Sequence, residues 1–106
     1  MNEAEEHDLI DRFALATFLE GARLWEEGIA SIEAIDLAMR AGAGLPMGPF
    51  MWADTIGLDA VLGKLETLSA RYGQRFAAPV SLTERVLRGQ LGKQSGRGYL
   101  THRRSG

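Results

Sequence analysis

Apolar residues recur at spacings of three and four along most of the chain, and period-two alternation never lasts long enough to make a strand. In the first stretch Ile10, Phe13, Ala14, Thr17, Gly21, Leu24 and Trp25 fall on one stripe. Leu9, Ala16 and Leu19 widen that stripe beyond the arc of a surface helix, so the pattern predicts a long first helix whose middle is covered on more than one side. Asn2 with Glu5 three residues on forms a capping-box pattern at its start, and Gly28 stops it just after Glu27. A second helix is predicted from Ser31, an N-cap type followed by Glu33 in the first turn, to Ala41 and Gly42. Its inner face is Ile32, Ile35, Ala38 and Met39. Pro49 suits a helix's first turn and opens a third helix that breaks at Gly57. Leu58, Val61, Leu62, Leu65, Leu68 and Tyr72 then mark a fourth helix, closed by Gly73. A fifth is predicted to open on the capping-box pattern Ser81-Leu82-Thr83-Glu84, after Pro79, and to end by Gly89. The predicted fold class is therefore all-α with about five helices and glycine at nearly every corner. Residues 1–91 read as the helical domain, and residues 92–106 as a glycine-rich basic tail. That tail reads either as extended or mobile, or as an ordered extension that packs Tyr99 back on the helices.

Composition narrows the function classes. With 106 residues, 45% hydrophobic and 25% charged, the chain has the balance of one ordinary globular domain. It contains no cysteine, which rules out a disulfide framework, a thiolate nucleophile and a Cys-ligated metal. His7 and His102 are its only histidines, leaving little for His-based catalysis or a metal site. No apolar run reaches membrane-spanning length, and the acidic start MNEAEEHD is unlike a basic signal peptide, so a cytoplasmic protein is expected. The formal net charge of −2 hides an asymmetry: ten acids lie in residues 1–36, whereas Arg85, Arg88, Lys93, Arg97, Arg103 and Arg104 make the end basic. A basic end can hold a phosphate or other anion, but it is more often a solvated surface. With Tyr99 as the sole aromatic among those charges, nucleic-acid binding has no support.

The segment 42–59, GAGLPMGPFMWADTIGLD, combines backbone breakers with Met47, Phe50, Met51 and Trp52. A turn between helices explains the glycines and prolines, while Met and Trp are common both in cores and at contact surfaces. Asp54 and Asp59 lie five residues apart across Gly57 with no histidine beside them. Asp59 is expected to favour the N-terminus of the fourth helix, and Asp54 to be a buried acceptor that fixes the loop. Gly42-x-Gly44 follows a helix instead of a strand, and the next glycine is Gly48, so it is no dinucleotide-binding turn.

Three runs in this order, Gly42-x-Gly-x-Pro-x-Gly-Pro49, Asp54-x-Ile-Gly-Leu-Asp59 and Gly92-Lys-x-Ser-Gly-x-Gly-Tyr99, follow LIDRFALATFLEGARLWEEGIAS. Together they resemble the C-terminal helical domain of 3-hydroxyacyl-CoA dehydrogenases over nearly the whole chain, from Leu9 to Leu100. The resemblance implies the 6-phosphogluconate dehydrogenase C-terminal-domain-like fold and a part in fatty-acid β-oxidation. NAD is then expected on a separate Rossmann domain that also carries the catalytic His and Glu, with no cofactor bound by this chain alone and no activity of its own. The implied partners are a second copy or the NAD-binding dehydrogenase domain, with acyl-CoA as ligand. Active members usually have an Asn-Arg pair near the start, and here the pair is Asp11-Arg12. An ionised Asp only accepts hydrogen bonds and cannot replace the amide as a donor. In this the chain is similar to the degenerate second repeat of multifunctional fatty-oxidation enzymes. By the same resemblance, Asp11, Arg12, Met47 and Phe50 are expected on the substrate-side cleft, with Met51 and Trp52 at an interface. An alternative from another class is a stand-alone acyl-CoA-binding or adaptor module docking to a fatty-oxidation complex.

Overall fold

The computed structural model describes residues 1–103, and Arg104, Ser105 and Gly106 of the predicted tail lie outside the described residues. Five helices carry the fold: α1 Glu3–Glu26, α2 Ile32–Ala43, α3 Pro49–Ile56, α4 Leu58–Tyr72 and α5 Val80–Leu87. Short 3-10 turns follow α4 at Gln74–Phe76 and α5 at Lys93–Ser95. Extended pairing among the described residues is limited to isolated bridges joining Arg97 to Gly92 and to Thr101. None of these helices is long and apolar enough to cross a membrane.

The predicted caps of α1 and α2 form as expected: Asn2 Oδ1 accepts from Glu5 N at 2.8 Å, and Ser31 Oγ accepts from Ala34 N at 3.1 Å. The end of α2 differs. Gly42 stays within the last turn, and the helix runs to Ala43 before Gly44 takes the left-handed conformation (φ 67°) that ends it. Gly48 offers α3 no side-chain cap, so α3 is capped from another helix. Asp36 of α2 accepts from Phe50 N at 2.7 Å and from Met51 N at 2.9 Å, satisfying two donors that the first turn cannot pair internally. Burial raises the Asp36 carboxyl above its ordinary range, against the pull of those two N–H groups.

The fifth helix also starts differently from the prediction. Pro79 is its N-cap and Ser81 lies inside it, because the fixed φ of Pro79 already launches the helix two residues before the Ser-x-x-Glu pattern. Ser81 is not a cap: its hydroxyl is buried and 2.7 Å from the Tyr99 hydroxyl.

The core gathers Leu15, Phe18 and Ala22 of α1, Ile32 and Ile35 of α2, Phe50 and Ala53 of α3, and Leu58, Val61, Leu65 and Leu68 of α4. Tyr99 closes it, with its ring centroid 4.8 Å from Phe50 and 5.6 Å from Phe18. The helical part of the chain and the segment after Gly92 therefore share one core. The middle of α1 is covered as expected, but the stripe does not stay covered towards the start of the helix. Leu15, Phe18, Gly21 and Ala22 are buried, whereas Leu9, Ile10 and Phe13 are 54%, 62% and 61% exposed. α2, α3 and the turn after α4 cover the middle of the helix, whereas among the described residues the face of Leu9, Ile10 and Phe13 borders only the open groove formed with the α2–α3 loop and α3.

Candidate functional site

Two arrangements of side chains stand out, one polar and closed, the other apolar and open. The closed one is centred on Asp54, which is 1% exposed. Its Oδ1 accepts from Tyr99 N at 2.9 Å, its Oδ2 accepts from Leu100 N at 2.9 Å, and His102 Nε2 lies 2.7 Å from Oδ2. The carboxylate thus caps the returning segment as a helix N-cap would, across 45 residues of chain or more. Such close approach leaves no room for side chains: a Cβ on Gly98 would collide with the Asp54 carboxylate, and one on Gly92 (φ 109°) with the Asp54 backbone. The expectation of a buried acceptor at Asp54 agrees with this geometry, and Asp59 lies in the first turn of α4 as expected, exposed and accepting from Gln94 Nε2 at 3.3 Å. Asp54 and Asp59 form no paired acid-base site.

Beside this latch, burial pushes the Tyr99 hydroxyl up to about 12, so it stays protonated at neutral pH. The Arg85 guanidinium sits 4.4 Å above the Tyr99 ring and donates from Nε to Gly98 O at 3.3 Å. The contacts in this cluster hold the segment from Gly98 to His102 against α3 and α5. Among the described residues no three His, Asp or Glu side chains are grouped to hold a metal ion.

The open arrangement is a groove of about 550 Å³ between α1, α3 and the loop that joins α2 to α3. Leu9, Ile10, Phe13, Ala14 and Thr17 form one wall, Leu45, Pro46 and Met47 the second, Pro49 and Trp52 the third. None of the ten lining side chains is titratable, and the Thr17 hydroxyl donates back to Phe13 O at 2.9 Å. The groove can bind an apolar surface but cannot move a proton.

The residues expected at functional positions divide among three places. Met47 and Trp52, assigned to different roles on the sequence, line the same groove. Met51 points to the other side of α3, into a small recess with Asp36, Leu37 and Arg40. Phe50 meets no surface: it is fully enclosed between Phe18 and Tyr99, because the turn at Gly48 directs it inward while Trp52 is left outside. Asp11 and Arg12 lie on the flank of α1 that faces α4, away from the groove stripe. Asp11 Oδ2 pairs with Lys64 Nζ at 2.8 Å instead of with its neighbour Arg12, whose guanidinium stacks 4.4 Å above the Tyr72 ring. The Asp36 cap, the Ser81 to Tyr99 bond and the Lys64 pairing have no local signature, since their partners are 14, 18 and 53 residues apart.

Comparison with known proteins places this geometry. The sequence pattern of the 3-hydroxyacyl-CoA dehydrogenase C-terminal domain matches residues 9–102. A probable 3-hydroxyacyl-CoA dehydrogenase of Caenorhabditis elegans is 40% identical over 98 residues, which cover 91% of this chain and 33% of the relative. The human mitochondrial hydroxyacyl-coenzyme A dehydrogenase is 35% identical over 98 residues, covering 90% and 31%. Among solved structures, the (S)-3-hydroxybutyryl-CoA dehydrogenase of Ralstonia eutropha superposes with a TM-score of 0.82 at 33% identity, over 89% of this chain and 34% of that one. The 3-hydroxybutyryl-CoA dehydrogenase of Escherichia coli K12 gives the same TM-score at 36% identity, over 92% and 21%. The chain spans about a third of the length of the curated relatives it matches.

Proposed function

Because the chain belongs to the 3-hydroxyacyl-CoA dehydrogenase family, as its C-terminal domain, we propose that it serves a fatty-acid-oxidising dehydrogenase by closing the acyl-CoA side of the cleft and by carrying the contact between two copies. NAD and the hydride-transferring groups belong to a Rossmann domain in the same or another chain, working in the cytoplasm. The observation that carries this reading is the uncovered apolar wall of α1. Leu9, Ile10 and Phe13 stand exposed beside Met47 and Trp52 in a groove without titratable groups, which suits contact and not catalysis.

Asp11 sets the limit of the chemistry. It stands where active members carry an amide, and a carboxylate paired with Lys64 accepts hydrogen bonds without offering the donor an enolate-like oxygen needs. The domain therefore contributes association and acyl-CoA affinity more than turnover. The test joins this chain to the NAD-binding domain of a relative and measures acetoacetyl-CoA binding and NADH oxidation. The joined protein is expected to bind acetoacetyl-CoA more tightly than the NAD-binding domain alone, with turnover that rises in Asp11→Asn. No gain in affinity would overturn the reading, and tight binding by this chain alone would replace it with the free-standing module.

A further inference from the structure

On the flank of α1 opposite the groove, three guanidinium groups converge on one aromatic ring. Arg12 Cζ lies 4.4 Å from the Tyr72 ring centroid, Arg75 Cζ 5.4 Å and Arg71 Cζ 5.9 Å. No two of them are then farther apart than about 11 Å. The backbone arranges this. Arg71 precedes Tyr72 at the end of α4, the turn at Gly73 reverses the chain, and the following 3-10 turn brings Arg75 back over the same ring. Arg12 arrives from α1 with its neighbouring acid already taken, since Asp11 is paired with Lys64.

Among the described residues no carboxylate is within salt-bridge distance of Arg12, Arg71 or Arg75. Glu26 borders a shallow recess with Arg75 but makes no salt bridge to it. A tyrosine ring attracts one or two cations weakly, and a third adds repulsion that no salt bridge among the described residues relieves. A dianion seated between the guanidiniums would remove that repulsion and receive forked N–H donors, the geometry in which Arg recognises phosphate.

We propose that this corner of α1, α4 and the turn after α4 is an anion site for a phosphate group carried by a small molecule. It is separate from the apolar groove and does not depend on the role assigned to that groove. Inorganic pyrophosphate is the probe for titration calorimetry on the full chain. Saturable binding is expected, weakening as salt is added and falling at least about tenfold in Arg71→Gln/Arg75→Gln, as the loss of charged hydrogen bonds requires. Both side chains are exposed, so this variant should keep the wild-type unfolding midpoint. Arg88→Gln, exposed and outside the cluster, should bind as the wild type does. ADP compared with pyrophosphate separates the sources: equal affinity assigns the site to the phosphate alone, tighter ADP to a nucleotide whose base meets Tyr72, and either supports the proposal. The absence of saturable binding, a double variant within about twofold of wild type, or equal weakening by Arg88→Gln would overturn it.

Discussion

Asp54 receives two backbone N–H groups and a histidine nitrogen from one short returning segment, and it is almost wholly removed from water. Asp54→Ala would leave the N–H groups of Tyr99 and Leu100 unpaired, and should cost about 3 kcal/mol by the usual penalty for unsatisfied donors. Urea unfolding of the variant measures this, and a loss below about 1 kcal/mol would mean the segment is held by Tyr99 packing alone. Tyr99 itself gives a pH signature. Its hydroxyl ionises only near 12 in the fold against 10.0 for an unperturbed tyrosine, so the fold favours the neutral form. That stability is fully present below the unfolded value and is lost as pH rises from about 10 to about 12. Tyr99→Phe should lower stability by about 1 kcal/mol at neutral pH, leaving Ser81 unpaired, and should flatten that alkaline loss. Unfolding midpoints of both proteins across the alkaline range test it, and parallel curves would contradict it.

At the level of elements, a cap matters where the geometry makes it one. Ser31→Ala should cost about 1 kcal/mol through the lost bond to Ala34 N. Ser81→Ala should instead reduce stability through Tyr99, so its effect should nearly vanish in a Tyr99→Phe background, which a double-mutant cycle measures. Gly92→Ala should cost more than about 2 kcal/mol, since it combines a positive φ with a collision against the Asp54 backbone. These cases also mark how far local sequence reaches. The bounds of α3 and α4 are legible because Pro49, Gly57 and Gly73 act on the backbone itself, whatever surrounds them. The end of α2 is not, since Gly42 and Gly44 are equally able to stop a helix and only the packing of the following loop separates them. Ser81 misleads because a Ser-x-x-Glu pattern marks a start only if the helix has not already begun, and Pro79 had begun it. The α3 cap is supplied by Asp36 from a different helix, a relation that periodicity does not encode.

Across the whole molecule, the breadth of the α1 stripe was readable in the sequence, but what covers it was not. A hydrophobic arc reports how much surface avoids water, not whether the cover comes from the same chain. Here the side with Leu15, Phe18 and Ala22 is covered from within, and the side with Leu9, Ile10 and Phe13 is open beside Met47 and Trp52. An open apolar wall of this kind fits a domain made to meet another surface, and two copies can bury it symmetrically. Phe13 is the residue with which to test this, because at 61% exposure a charge there should scarcely alter the fold. The decisive measurement is the solution mass of the chain by light scattering over a wide concentration range, for the wild type and Phe13→Glu. The wild type is expected to form a dimer that persists on dilution, and Phe13→Glu a monomer with an unchanged unfolding midpoint. A wild-type monomer at every concentration, or a dimer indifferent to Phe13→Glu, would contradict this expectation.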